Sequence, residues 1–139
     1  MKYKFLEHTA DIMFEAYGSS LNELFQNSGL ATEETMVNLK QIKPVIKKEI
    51  KLENKTLEGL LYDFLAELIF LKDAELLLFS KIKASVKKQK EHYFLKAELS
   101  GEKLTKNHEQ KVDVKAVTWH KFKIENLKDN IKATVILDI

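Results

Sequence analysis

Cysteine is absent from this 139-residue chain, which removes disulfides, thiolate metal sites and cysteine nucleophiles from consideration. Arginine is absent as well, so all 23 basic residues are lysine. Lysine binds phosphate as a point charge but lacks the flat, bidentate fork used to read bases or grip phosphate. With a formal net charge of +2, an RNA-binding role resting on this chain alone is disfavoured. One proline and four glycines leave no Pro/Gly/Ser-rich linker. There is no repeat and no low-complexity tract, so a single domain over residues 1–139 is expected. No apolar run approaches the roughly 18 residues that would span a bilayer. The opening MKYKFLEHTAD interrupts its first apolar stretch with charge, so a secretory leader is not expected and a cytoplasmic location is.

Two segments carry the period of a helix. SSLNELFQNSGLATEET begins with a capping box in which Ser20 and Glu23 serve each other's backbone N–H groups. Leu21, Leu24, Phe25 and Ser28 then follow at the spacing of one buried stripe. KTLEGLLYDFLAELIFLKDAE keeps such a stripe for three turns through Leu57, Leu60, Leu61, Phe64, Leu65 and Leu68, with Glu58, Asp63 and Glu67 away from it. Elsewhere apolar residues alternate with polar ones as in strands: Ile12 to Tyr17, Glu49 to Glu53, Leu78 to Lys87 and Tyr93 to Leu99. Shorter stretches do the same at Val112 to Ala116, Phe122 to Ile124 and Ala133 to Ile139. A charged turn near Lys88 to Glu91 suggests a hairpin. The pattern predicts an α+β fold, a mixed or largely antiparallel sheet with two amphipathic helices packed on it.

Aspartates stand in strand-like segments near both ends, in EHTADI and in VILDI. On the last strand Ala133, Val135, Leu137 and Ile139 share a face, so Asp138 points the other way. Asp11 immediately precedes the strand that starts at Ile12. If the two terminal strands lie close together, Asp11, Asp138 and the α-carboxylate of Ile139 converge. Three such carboxylates repel one another unless a cation sits among them. A hard divalent ion with an all-oxygen shell would answer that need: Ca²⁺ first, with Mg²⁺ and Mn²⁺ also admissible. The spacing equally suits Asp11 capping a turn and Asp138 exposed near a frayed end.

His8 lies beside Asp11, either as a neighbour to that site or as a buried, hydrogen-bonded side chain. His92, His108 and His120 are scattered, with no HxH or HExxH spacing to suggest zinc. No GxSxG elbow and no Gly-rich phosphate loop occurs. A catalytic constellation is therefore not evident, and a small metal-dependent hydrolase is disfavoured.

Several motifs, in order and spanning nearly the whole chain, carry a family resemblance. EHTADI, a strand ending in AYG, and a helix beginning SLNELF resemble the opening of the archease family. LLYDFLAELIFL resembles that family's central helix, and GEKLTKNHE, VDVKAVTWH and VILDI its C-terminal half. Trp119 stands where the family more usually has tyrosine. Lys103 to Lys106 replace a commoner proline and acidic residue, which leaves the role of the 101–110 loop open.

The resemblance implies an accessory protein. Archeases are partners of the GTP-dependent tRNA-splicing RNA ligase, promoting its guanylylation and multiple turnover in tRNA splicing and RNA repair. RNA would then be met only through the ligase. The family's metal site maps onto Asp11, Asp138 and Ile139, and His8 and Lys115 fall in family-like motifs with supporting roles. Lys115 could equally be an exposed strand residue. The alternative is a chaperone-like interaction module for RNA-modifying enzymes such as methyltransferases.

Overall fold

Ser20 opens the first helix in the computed structural model, which describes residues 1–8 and 10–139; Thr9, inside the His-Thr-Ala-Asp motif, lies outside the described residues. The Ser20 Oγ accepts the Glu23 N–H at 3.2 Å, and the Glu23 carboxylate accepts the Ser19 N–H at 3.1 Å. The capping box therefore forms, with its return bond one residue earlier than the sequence suggests. Helix α1 (Leu21–Met36) buries Leu24, Phe25 and Ser28 as expected, with Leu21 half-buried. Thr56 caps helix α2 (Leu57–Glu75) by accepting the Gly59 N–H at 2.9 Å. Its stripe runs on past Leu68 to Ile69 and Leu71.

Among the described residues seven strands accompany the helices: β1 (Tyr3–Leu6), β2 (Asp11–Gly18), β3 (Ile46–Asn54), β4 (Leu77–Gln89), β5 (His92–Lys103), β6 (Ala116–Asn126) and β7 (Ile131–Asp138). They form two sheets, ordered β1-β2-β7-β6 and β3-β5-β4, and every pairing is antiparallel. Helix α1 packs on β2 and β4, and α2 on β6 and β3, so each helix touches both sheets. One core joins them, with Phe14, Phe25, Phe64 and Phe79 fully buried. Burying each such side chain stabilises the fold by about 1.5–3 kcal/mol.

Two details fix how closely the elements approach. A β-bulge between Phe79 and Lys81 shifts the register of β4 against β5, so that Leu78 and Phe79 are both buried. Gly101 lies opposite, where an added Cβ would stand 1.8 Å from the Leu78 carbonyl oxygen. Strand β4 is an edge strand, and α1 runs along its free side. Asn22 Oδ1 accepts the Val86 N–H (2.7 Å), Gln26 Oε1 the Ala84 N–H (3.0 Å), and Glu33 Oε2 the Phe79 N–H (3.2 Å).

The segment expected to be a strand from Val112 is not one before Ala116. Its backbone is held instead by the end of α1, with the Lys111 N–H on the Met36 carbonyl (2.9 Å) and the Val112 N–H on that of Thr35 (3.3 Å). Phe122 and Ile124 belong to β6, which continues across a wide bulge between Thr118 and Lys123. Among the described residues no helix is long and apolar enough to cross a membrane.

Candidate functional site

Strands β2 and β7 pair along their whole length, and their register sets Asp11 opposite Asp138. Directly opposed residues of an antiparallel pair have Cα atoms roughly 4.5–5.5 Å apart and side chains on the same face. Both carboxylates therefore leave the outer face of the four-stranded sheet, away from Ile12 and Leu137. The next row on that face is Leu6, Met13, Ile136 and Thr118, with Ile136 only 1% exposed. Like charges directly opposite in a sheet are destabilising by a few tenths of a kcal/mol, up to about 1.

The remaining sequence candidates surround this pair. The Lys115 N–H donates to the Asp138 carbonyl oxygen at 2.8 Å, and Ala116 is the register partner of Asp138 on β6. Lys115 thus fixes Asp138 through its backbone, while its exposed side chain is among the charges that lower the Asp113 pKa. The His8 Nδ1 is buried with no hydrogen-bond partner among the described residues, 3.6 Å from Asp11 Oδ2. That distance is too long for a hydrogen bond. Ala10 takes a left-handed conformation (φ 66°) immediately before Asp11, a geometry that alanine adopts at a cost of about 1 kcal/mol.

Whether these residues suit a cation can be judged from the donor set. Among the described residues no three or more His, Cys, Asp and Glu side chains gather as a metal centre. Two opposed carboxylates offer hard oxygen donors, so a complete shell needs main-chain or terminal oxygens in addition. The α-carboxylate of Ile139, one residue beyond Asp138, is of that kind.

The loop leading to Lys115 is anchored at two places that the sequence did not reveal. Lys72, on α2, reaches Asp113 Oδ1 at 2.5 Å, Asp73 Oδ1 at 2.6 Å and the Val114 carbonyl at 3.2 Å. Burial works against the Lys72 charge, but the Asp113 and Asp73 carboxylates outweigh it and its pKa stands raised. His108 Nδ1 accepts the Thr105 N–H at 2.9 Å, which leaves Nε2 as the donor to Glu102 Oε1 at 2.7 Å. That hydrogen bond is the main cause of a lowered Glu102 pKa. His108 ties the 101–110 loop together, and His120 is exposed in the β6 bulge, remote in register from the carboxylates. The aromatic before His120 is Trp119, stacked on Tyr62 with ring centroids 4.2 Å apart.

The fold and this edge together define a small two-sheet α+β domain that holds two carboxylates face to face across its second and last strands. The chain matches the Archease protein family (MTH1598/TM1083) over residues 3–139. It is 44% identical over 129 residues to the protein archease of Thermococcus kodakarensis, covering 92% of this chain and 91% of that one. The protein archease of Sulfurisphaera tokodaii is 38% identical over 139 residues, 99% of each chain. The solution structure of protein 1598 of Methanobacterium thermoautotrophicum superposes with a TM-score of 0.90 at 36% identity over 99% of both chains. A crystal structure of an archease from Thermotoga maritima, described as a possible chaperone, shares the fold (TM-score 0.63, 23% identity, 98% of this chain and 96% of that one). The chain belongs to the archease family.

Proposed function

We propose that this chain is an accessory protein that activates the GTP-dependent tRNA-splicing RNA ligase, promoting its guanylylation and multiple turnover. The observation that carries this reading is the register pairing of Asp11 with Asp138 on an outer sheet face. Membership of the archease family supports it. Asp11, Asp138 and the α-carboxylate of Ile139 would hold a divalent cation, Ca²⁺ being favoured because it accepts an irregular shell of oxygens; Mg²⁺ and Mn²⁺ remain compatible. Such an ion would supply neutralisation of charge developing on a phosphoryl group.

The chain's own residues do the positioning. The Lys115 N–H holds the backbone of Asp138. His8, with its Nδ1 3.6 Å from Asp11 Oδ2, would assist as a neighbour. The ligase supplies the nucleophile and the nucleotide pocket.

The test is GTP-dependent guanylylation of the cognate ligase with untagged wild-type chain and with Asp11→Ala and Asp138→Asn variants shown to be folded by circular dichroism. Stimulation that falls at least tenfold in both variants is the expected outcome, equivalent to about 1.4 kcal/mol of lost transition-state stabilisation. Full stimulation by both would move the working surface elsewhere on the molecule. A second reading, a chaperone-like module for RNA-modifying enzymes such as methyltransferases, draws on the description of the Thermotoga maritima relative. It requires that wild type leave guanylylation unchanged while keeping more than one such enzyme soluble, with no dependence on either aspartate.

A further inference from the structure

The outer face of the three-stranded sheet is uncovered, and its register sorts charge onto it. On β3 the exposed side chains are Lys47, Glu49, Lys51 and Glu53; on β4 they include Lys81, Lys83 and Lys87; on β5, Phe94, Lys96 and Glu98. These fall into cross-strand rows: Lys47–Ser100–Lys81, Glu49–Glu98–Lys83, Lys51–Lys96–Ser85 and Glu53–Phe94–Lys87. Six lysines meet three glutamates there, a surplus of three positive charges, whereas the whole chain carries +2. The rest of the molecule is therefore net negative, and its basic character is concentrated on this one face.

Internal pairing does not consume the surplus. Glu49 lies 3.6 Å from Lys51 and 3.7 Å from Lys96, serving two lysines with one carboxylate, and Glu53 is engaged by His92 at 3.4 Å. Lys51 and Lys96 are directly opposed, and the single Glu49 carboxylate is shared between them. Between the lysines an aromatic ring is on view: Phe94 is 36% exposed on the central strand. It lines a shallow groove of about 400 Å³ with Lys51, Glu53, Ser85, Lys87 and Lys96. Successive rows are about 6.8 Å apart along the strands, a spacing that an extended nucleotide backbone can follow.

We propose that this face binds single-stranded RNA, with Lys51, Lys87 and Lys96 on the phosphates, Phe94 stacked on a base and Ser85 beside a ribose hydroxyl. The absence of arginine, which disfavours base readout by this chain, does not bar a sequence-independent track of lysine point charges and a stacking ring. An acidic protein surface would use the lysines and leave the exposed ring without a purpose. The proposal does not rest on the aspartate pair, which stands on the other sheet.

The experiment is fluorescence anisotropy of the full chain with a labelled oligouridylate, the DNA strand oligothymidylate and polyglutamate, over a series of salt concentrations. A dissociation constant of about 10⁻⁴ to 10⁻⁶ M for the RNA is expected at physiological salt, tightening as salt is lowered. Lys51→Glu, Lys87→Glu and Lys96→Glu together should abolish binding. Changing the same three residues to glutamine should flatten the salt slope by about 2, at about 0.7 per phosphate contact. Phe94→Ser should weaken binding roughly five- to hundredfold through lost stacking, while Asp138→Asn leaves it unchanged. No saturable RNA binding overturns the proposal. So does binding of polyglutamate as tight as RNA and indifferent to Phe94, which would mark an acidic protein partner. Equal affinity for the DNA strand overturns the assignment to RNA.

Discussion

Glu33 carries a carboxyl group into full burial on α1, where Oε2 accepts the Phe79 N–H and Oε1 has no partner among the described residues. Burial pushes its pKa up to about 8, against the smaller opposing effects of the Phe79 N–H and the Lys72 charge. An acid whose folded pKa is raised stabilises the fold most below its unfolded value of 4.5, and that contribution drains away as pH rises from 4.5 towards about 8. Glu33→Gln keeps an oxygen for Phe79 and removes the titration. It should therefore leave stability near pH 4 little changed and raise it at neutral pH by up to about 3 kcal/mol, read from melting curves across pH. Equal effects at both ends of the range would show that the carboxyl does not titrate in this way. Nothing in the sequence distinguished Glu33 from an exposed helix glutamate, because its burial depends on where β4 comes to lie. The caps at Ser20 and Thr56 are different: they are satisfied within four residues, and Ser20 was legible for that reason.

At the scale of elements, the bulge in β4 and the glycine facing it act as a unit. Gly101→Ala would drive a methyl group into the Leu78 carbonyl, a contact relieved only by shifting backbone. The expected cost is about 3 kcal/mol, seen as a lower urea midpoint with an unchanged slope; an unshifted midpoint would mean that the bulge relaxes freely. Both long helices were legible because their stripes persist for several turns. Strand β6 was not, since the residues inserted between Thr118 and Lys123 break the two-residue period and divide one strand into apparent fragments. Val112 and Val114 alternate like a strand, yet the backbone at Lys111 and Val112 bonds to the last turn of α1. Local alternation does not specify which partner a backbone will find. Strand β1 has four residues, and its ends alone are half-buried, too little pattern to read.

For the molecule as a whole, an ion held by the proposed site would join the first long strand to the last. If Ca²⁺ binds the folded chain alone, a hundredfold excess over its dissociation constant should add about 2.7 kcal/mol of stability, reversed by chelator. Asp138→Asn should lose that gain. In chelator the variant should be no less stable than wild type, because one of two opposed charges is gone; a gain of equal size in wild type and variant would place the ion elsewhere. The two aspartates were legible as carboxylates in strands. Their register was not, since strands separated by most of the chain leave no local trace of their pairing. The row of side chains from Asn22, Gln26 and Glu33 along β4 has a further consequence. In sealing that strand, α1 takes the place that another strand would otherwise occupy. Any excursion of the helix bares a ladder of unpaired N–H groups, so the detached state is adhesive towards its own kind. Protection from clumping is thus as much a task of α1 as its share of the core.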